Sequence, residues 1–118
     1  MAVTIYHNPR CSKSRQTLQI ITDSGTAHTL VQYLEDSPNA ATIVDLAGKL
    51  GVPVADLLRR GESEFKEATD LPDLADDARL AEWLTAHPII LQRPIVVNDE
   101  SGEAVIGRPP EIVTALLS

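Results

Sequence analysis

Val3-Thr4-Ile5-Tyr6, then His7-Asn8-Pro9-Arg10-Cys11-Ser12-Lys13-Ser14-Arg15, then Gln16-Thr17-Leu18-Gln19-Ile20-Ile21 is the stretch whose reading decides the fold. The first part is short, apolar and β-branched, as a strand requires, while Leu18 and Ile21 fall at helical spacing. Pro9 disfavours helix through His7 and Asn8, so the chain turns there and delivers Cys11 at or near the first turn of the helix. Unpaired N–H groups point outward at that place. Their partial positive charge, with Arg10, Lys13 and Arg15 close by, favours thiolate over thiol. The same donors suit an oxyanion. A free cysteine is more often a small buried hydrophobe. Cys11, however, has polar and cationic neighbours, follows a Pro-containing loop and has the hydroxyls of Ser12 and Ser14 beside it, which together argue for a reactive thiol.

Cys11 is the only cysteine, so no internal disulfide can form and a reducing compartment is expected. A length of 118 residues supports one domain, 1–118, with its own core. The apolar runs are short and the N-terminus lacks a basic-then-apolar pattern, so the expected location is cytoplasmic, with no membrane association. A formal net charge of -7 argues against broad binding to nucleic acid or anionic membranes. Among the cations, Arg10, Lys13 and Arg15 surround the cysteine, Arg59 and Arg60 are adjacent, and Arg93 and Arg108 stand alone in apolar or Pro/Gly-rich contexts. A small anion suits them better than a polymer. With one cysteine and scattered carboxylates, no metal-ligand cluster is expected, and His28 and His87 read as structural.

Outward from the opening stretch, Gly25 can end the first helix, and Thr29–Tyr33 is a second strand, giving a right-handed parallel βαβ crossover. A helix from the Asn39 N-cap to about Leu50 places Ile43, Val44, Ala47 and Leu50 on one face, with Gly51 as its stop. Pro53 opens a shorter helix through Leu57 and Leu58. Residues 61–77 read as loop with a helical turn near 63–68, and a helix over about 76–86 puts Leu80, Trp83 and Leu84 together before His87-Pro88 ends it. Ile95–Val97 and Ala104–Ile106 form an antiparallel hairpin across the turn at 98–102. Pro109 and Pro110 open a last helix whose buried side is Ile112, Val113, Leu116 and Leu117. The order is βαβ, a helical insertion at about 38–88, then ββα. It predicts an α/β fold with a four-stranded mixed sheet flanked by helices.

With a cysteine opening the first helix, that order looks like a thioredoxin-type fold. Nearly the whole chain resembles the glutaredoxin-coupled arsenate reductase family. The resemblance is carried by Tyr6 to Arg15, Tyr33-Leu34-Glu35, Leu57-Leu58-Arg59, Asp77-Ala78-Arg79, His87-Pro88, Gln92 to Val97 and Gly107-Arg108-Pro109. It implies reduction of arsenate to arsenite, with Cys11 as nucleophile and Arg59, Arg93 and Arg108 binding the oxyanion. Arginine suits that task because its planar fork makes paired, charge-assisted hydrogen bonds and keeps its charge. His7, Ser14 and Arg15 are implied as supporting residues: His7 helps set the thiolate's protonation, and the Ser14 hydroxyl, one helical turn on, reaches back toward the sulfur. A cis peptide bond before Pro94 is also implied.

Resolving a Cys11–arsenic adduct takes a second thiol that this chain lacks. The resemblance supplies glutathione as co-substrate, no bound cofactor, and glutaredoxin to regenerate Cys11, with the chain acting as a monomer. The phosphatase-like type of arsenate reductase needs an arginine six residues after its cysteine, where this chain has Thr17. Two other readings stay open: a glutathione-dependent thiol reductase without arsenate specificity, and a redox-responsive transcription regulator of the same fold. The regulator typically needs a Cys-x-x-Cys pair, whose fourth position here is Ser14.

Overall fold

The computed structural model describes residues 2–117. Its regular elements, in order, are β1 (Ala2–His7), α1 (Ser12–Asp23), β2 (Ala27–Gln32), α2 (Ala40–Leu50), α3 (Ser63–Lys66), α4 (Asp77–Ala86), β3 (Ile95–Asn98), β4 (Ala104–Ile106) and α5 (Val113–Leu117). They fall into two compact units, one built from the chain up to Asp36 and again from Arg93 on, the other from Ser37–Gln92.

The first unit holds the sheet, in the order β2-β1-β3-β4. β1 and β2 are parallel, from Ala2 opposite Ala27 to His7 opposite Gln32. β3 runs antiparallel to β1, and β4 antiparallel to β3. Val3, Ile5 and Val96 from the sheet pack with Ile21 of α1 and with Val113 and Leu116 of α5, all buried. Burying one such aliphatic side chain contributes roughly 1.5–3 kcal/mol. This apolar interface therefore fixes α1 against the sheet and holds its N-terminal end at the end of β1. The architecture is the mixed, thioredoxin-like α/β fold expected from the sequence.

Three details differ. β2 begins two residues earlier than the expected Thr29 and stops before Tyr33, because Gly25, at φ +74°, ends α1 promptly and β1 offers no partner beyond His7. Val44, expected on the buried face of α2, is 42% exposed. The buried set is Ile43, Leu46 and Ala47, and Val44 lies one helical step, about 100°, round from Ile43. Ile112, expected in the core, is 44% exposed. It belongs to a 3-10 turn, Pro110–Ile112, whose period of three rotates it away from the face that Val113 and Leu116 bury.

In the second unit, the Asn39 side chain accepts from the Thr42 N–H and caps α2, and Gly51 ends it at φ +71°. The segment after Pro53 forms a 3-10 helix, Val54–Leu57, and Leu58 is then extended and bridges antiparallel to Leu91. Arg59 N–H donates to the Ile90 carbonyl and Gln92 N–H to the Leu57 carbonyl at 2.7 Å. Among the described residues no helix is long and apolar enough to cross a membrane.

Candidate active site

Cys11 is the N-cap of α1, with extended backbone (φ -92°, ψ 122°), and its own N–H is tied to the Asn8 carbonyl at 3.0 Å. That turn points Sγ at the helix's open N–H groups. Partial burial alone would raise its pKa. The backbone N–H of Ser14, the Arg93 side chain, the backbone N–H of Lys13 and the charge of Arg108 outweigh that, and Cys11 is held below the ordinary thiol value. Arg108 Nη2 stands 3.6 Å from Sγ.

The two arginines arrive from distant sequence through one short stretch of backbone. Arg93-Pro94 and Arg108-Pro109 are both cis. Arg108 Nε donates to the Arg93 carbonyl at 2.9 Å, and Gly107 N–H donates to the Pro94 carbonyl at 2.9 Å. Arg93 is only 8% exposed. Gly107 is required by space: a Cβ there would stand 2.6 Å from Thr17 Oγ1 and 2.8 Å from Pro94 Cγ. Thr17 is itself fixed to the Lys13 carbonyl at 2.8 Å in the first turns of α1. Gly107→Ala should therefore force the hairpin strand and α1 apart, costing about 1–3 kcal/mol of stability. Chemical denaturation checks this, and an unchanged midpoint would mean that the loop yields freely.

The supporting residues behave less simply than expected. Ser14 is fully buried, and its hydroxyl does not turn back to the sulfur. Oγ is engaged by His7 Nδ1 at 2.7 Å and by the Asn8 N–H at 3.0 Å, so it staples the loop, and it is Ser14's backbone N–H that lowers the Cys11 pKa. Burial, with the charge of Arg15 second, lowers the His7 pKa. His7 is therefore neutral near pH 7. Arg15 donates Nη1 to the Pro9 carbonyl at 2.9 Å. The side chains of Arg10, Lys13 and Arg15, next to Cys11 in sequence, are not among the groups that depress its pKa. Side chains of a helix's first residues splay outward from the axis, whereas the N–H groups converge on the cap.

Arg59 lies in the second unit, where Nε pairs with Glu62 Oε1 at 3.3 Å. Two neighbours of the site carried no chemical signal in the sequence. Asn8, nearly buried, accepts the Arg10 N–H on Oδ1 at 2.9 Å and shapes the loop. Tyr33 is fully buried just past the end of β2. Its hydroxyl completes no hydrogen bond of good geometry, although Asn8 and Arg93 lie close enough to favour ionisation. Burial prevails over them and raises its pKa, so it stays protonated. Among the described residues no group of three or more His, Cys, Asp and Glu could hold a metal ion.

A thioredoxin-like unit that presents one helix-capping, depressed-pKa thiol to converging arginines and backbone donors defines a class of thiol-based proteins. Within it, the chain belongs to the ArsC family, whose model matches residues 6–116. It is 39% identical over 115 residues to the arsenate reductase of Escherichia coli (strain K12), covering 98% of this chain and 80% of that one. It is also 41% identical over 116 residues to the uncharacterized protein YfgD of the same organism, covering 98% and 96%. The solved structure of an arsenate reductase from Vibrio cholerae superimposes with a TM-score of 0.85 at 39% identity, covering 98% of this chain and 97% of that one.

Proposed function

We propose that this protein reduces arsenate to arsenite, as a cytoplasmic monomer, with glutathione as co-substrate and glutaredoxin as the regenerating partner. The observation that carries the reading is the convergence of Arg93, Arg108 and the Lys13 and Ser14 N–H groups on the Cys11 sulfur, at 3.6 Å for Arg108. The names of the relatives supply the oxyanion. The thiolate attacks arsenic and forms an S–As bond, and one oxygen leaves as water after protonation. The two arginines and the N–H groups hold the remaining oxygens and the charge that builds on them. Arg59 is assigned a third oxyanion contact by its motif alone. His7 and Arg15 act through the loop, His7 by holding Ser14 and Arg15 by holding Pro9.

The adduct is then attacked at the Cys11 sulfur by a glutathione thiolate. An S–S bond forms, the S–As bond breaks, and its electron pair stays on arsenic, which goes from As(V) to As(III). Two thiols have given up the two electrons, and the Cys11–glutathione disulfide is returned to thiol by glutaredoxin. The test is arsenite formation from arsenate with glutathione and glutaredoxin supplied, then with each withheld. Turnover that needs both supports the assignment. Absence of arsenite, with rapid reduction of a neutral disulfide by the same mixture, would replace it with a thiol reductase.

A further inference from the structure

A cavity of about 350 Å³ lies beside the loop that carries Cys11. One side is formed by His7, Asn8, Pro9 and Arg10 at the end of β1, the other by Gln32, Leu34 and Glu35 at the end of β2. Arg10 and Glu35 are exposed and bring opposite charges to the same space. They are not paired with each other, and among the described residues neither side chain makes an ion pair or hydrogen bond elsewhere. Unpaired opposite charges flanking one cavity leave room for a ligand that carries both charges on neighbouring atoms. An α-amino-acid zwitterion does so: the guanidinium fork pairs with its carboxylate and the Glu35 carboxylate with its ammonium.

The position matters as much as the charges. Arg10 immediately precedes Cys11, so their Cα atoms are about 3.8 Å apart. Cys11 depends on an external thiol, since the chain has no second cysteine. We infer that this cavity receives the zwitterionic γ-glutamyl end of glutathione and so delivers the glutathione sulfur to Cys11. The inference rests on the proposed function only in taking glutathione as the thiol.

Exchange with oxidised glutathione tests the inference without arsenate. The Cys11 thiolate attacks one sulfur of the disulfide. One S–S bond forms, one breaks, and a glutathione thiolate leaves, with no net oxidation. Glu35→Gln and Arg10→Gln should each lower the rate constant for this exchange about fivefold. Exchange with the uncharged 2-hydroxyethyl disulfide should stay within about twofold of wild type, which also shows that the variants are folded and their thiolates intact. Acetylating the α-amine of glutathione should slow the wild type and erase its advantage over Glu35→Gln. Equal slowing with both disulfides, or unchanged exchange with oxidised glutathione, would overturn the inference. A protein that fails to make arsenite can still show this selectivity, and one that makes arsenite can lack it, so the two readings fail separately.

Discussion

Cys11→Ser should bring arsenite formation down to the level of the buffer control, a loss of at least about 10³-fold. A serine hydroxyl is almost wholly protonated near neutrality, so the N–H groups and arginines that stabilise a thiolate have no anion to select. Nor can serine oxygen form the disulfide through which two electrons reach arsenic. The substitution is small and the N-cap of α1 tolerates serine well, so the fold and the arginine cluster should survive. Arsenate binding, measured by calorimetry, should then stay within a few-fold of wild type while turnover vanishes. Measurable turnover in the folded variant would show that Cys11 is not the nucleophile.

Arg93→Ala should be nearly as severe, and its effect divides into two parts that pH can separate. Arg93 holds the thiol pKa down as a hydrogen-bond donor to the sulfur. Without it the thiol keeps its proton to higher pH. The pH profile of Cys11 alkylation, which falls as pH drops through the folded pKa, should shift upward, and reactivity at pH 7 should decline. Raising the pH restores that part. The second part is the loss of a fixed donor to the oxyanion, which costs on the order of 10²–10³ in turnover and is not restored at any pH. Exchange with a neutral disulfide should show the first part and not the second. Arg108 is expected to keep its place, since it is anchored on the backbone carbonyl of residue 93 and not on its side chain. An unchanged alkylation profile in Arg93→Ala would remove it from the thiolate's environment.

Local patterns carried much of the fold. The β-branched run before His7, the break at Pro9 and the helical spacing of Leu18 and Ile21 gave β1, the loop and α1, because each element's buried face repeats with its own period. The Asn39 cap and the Gly51 stop marked α2 for a similarly local reason. Val44 and Ile112 were misplaced because an apolar residue near the edge of a helical face, or in a 3-10 turn, has the same composition as one at its centre. Their exposure depends on a rotation that only packing sets.

The candidate site divides in the same way. By itself, the sequence determined that one cysteine would stand at or near the first turn of a helix after a strand, among donors able to hold an anion, since caps and breakers act within a few residues. Tertiary structure decided which groups meet the sulfur. The side chains of Lys13 and Arg15, the obvious cations, are not among the groups that lower its pKa, while Arg93 and Arg108 arrive from more than eighty residues on, tied together through the Arg93 carbonyl. Ser14 exchanged its expected role for a staple between His7 and Asn8. Contact at a helix cap depends on where converging backbone N–H groups and distant chain segments are held, and only the packing of β3, β4 and α5 against β1 and α1 brings those segments there.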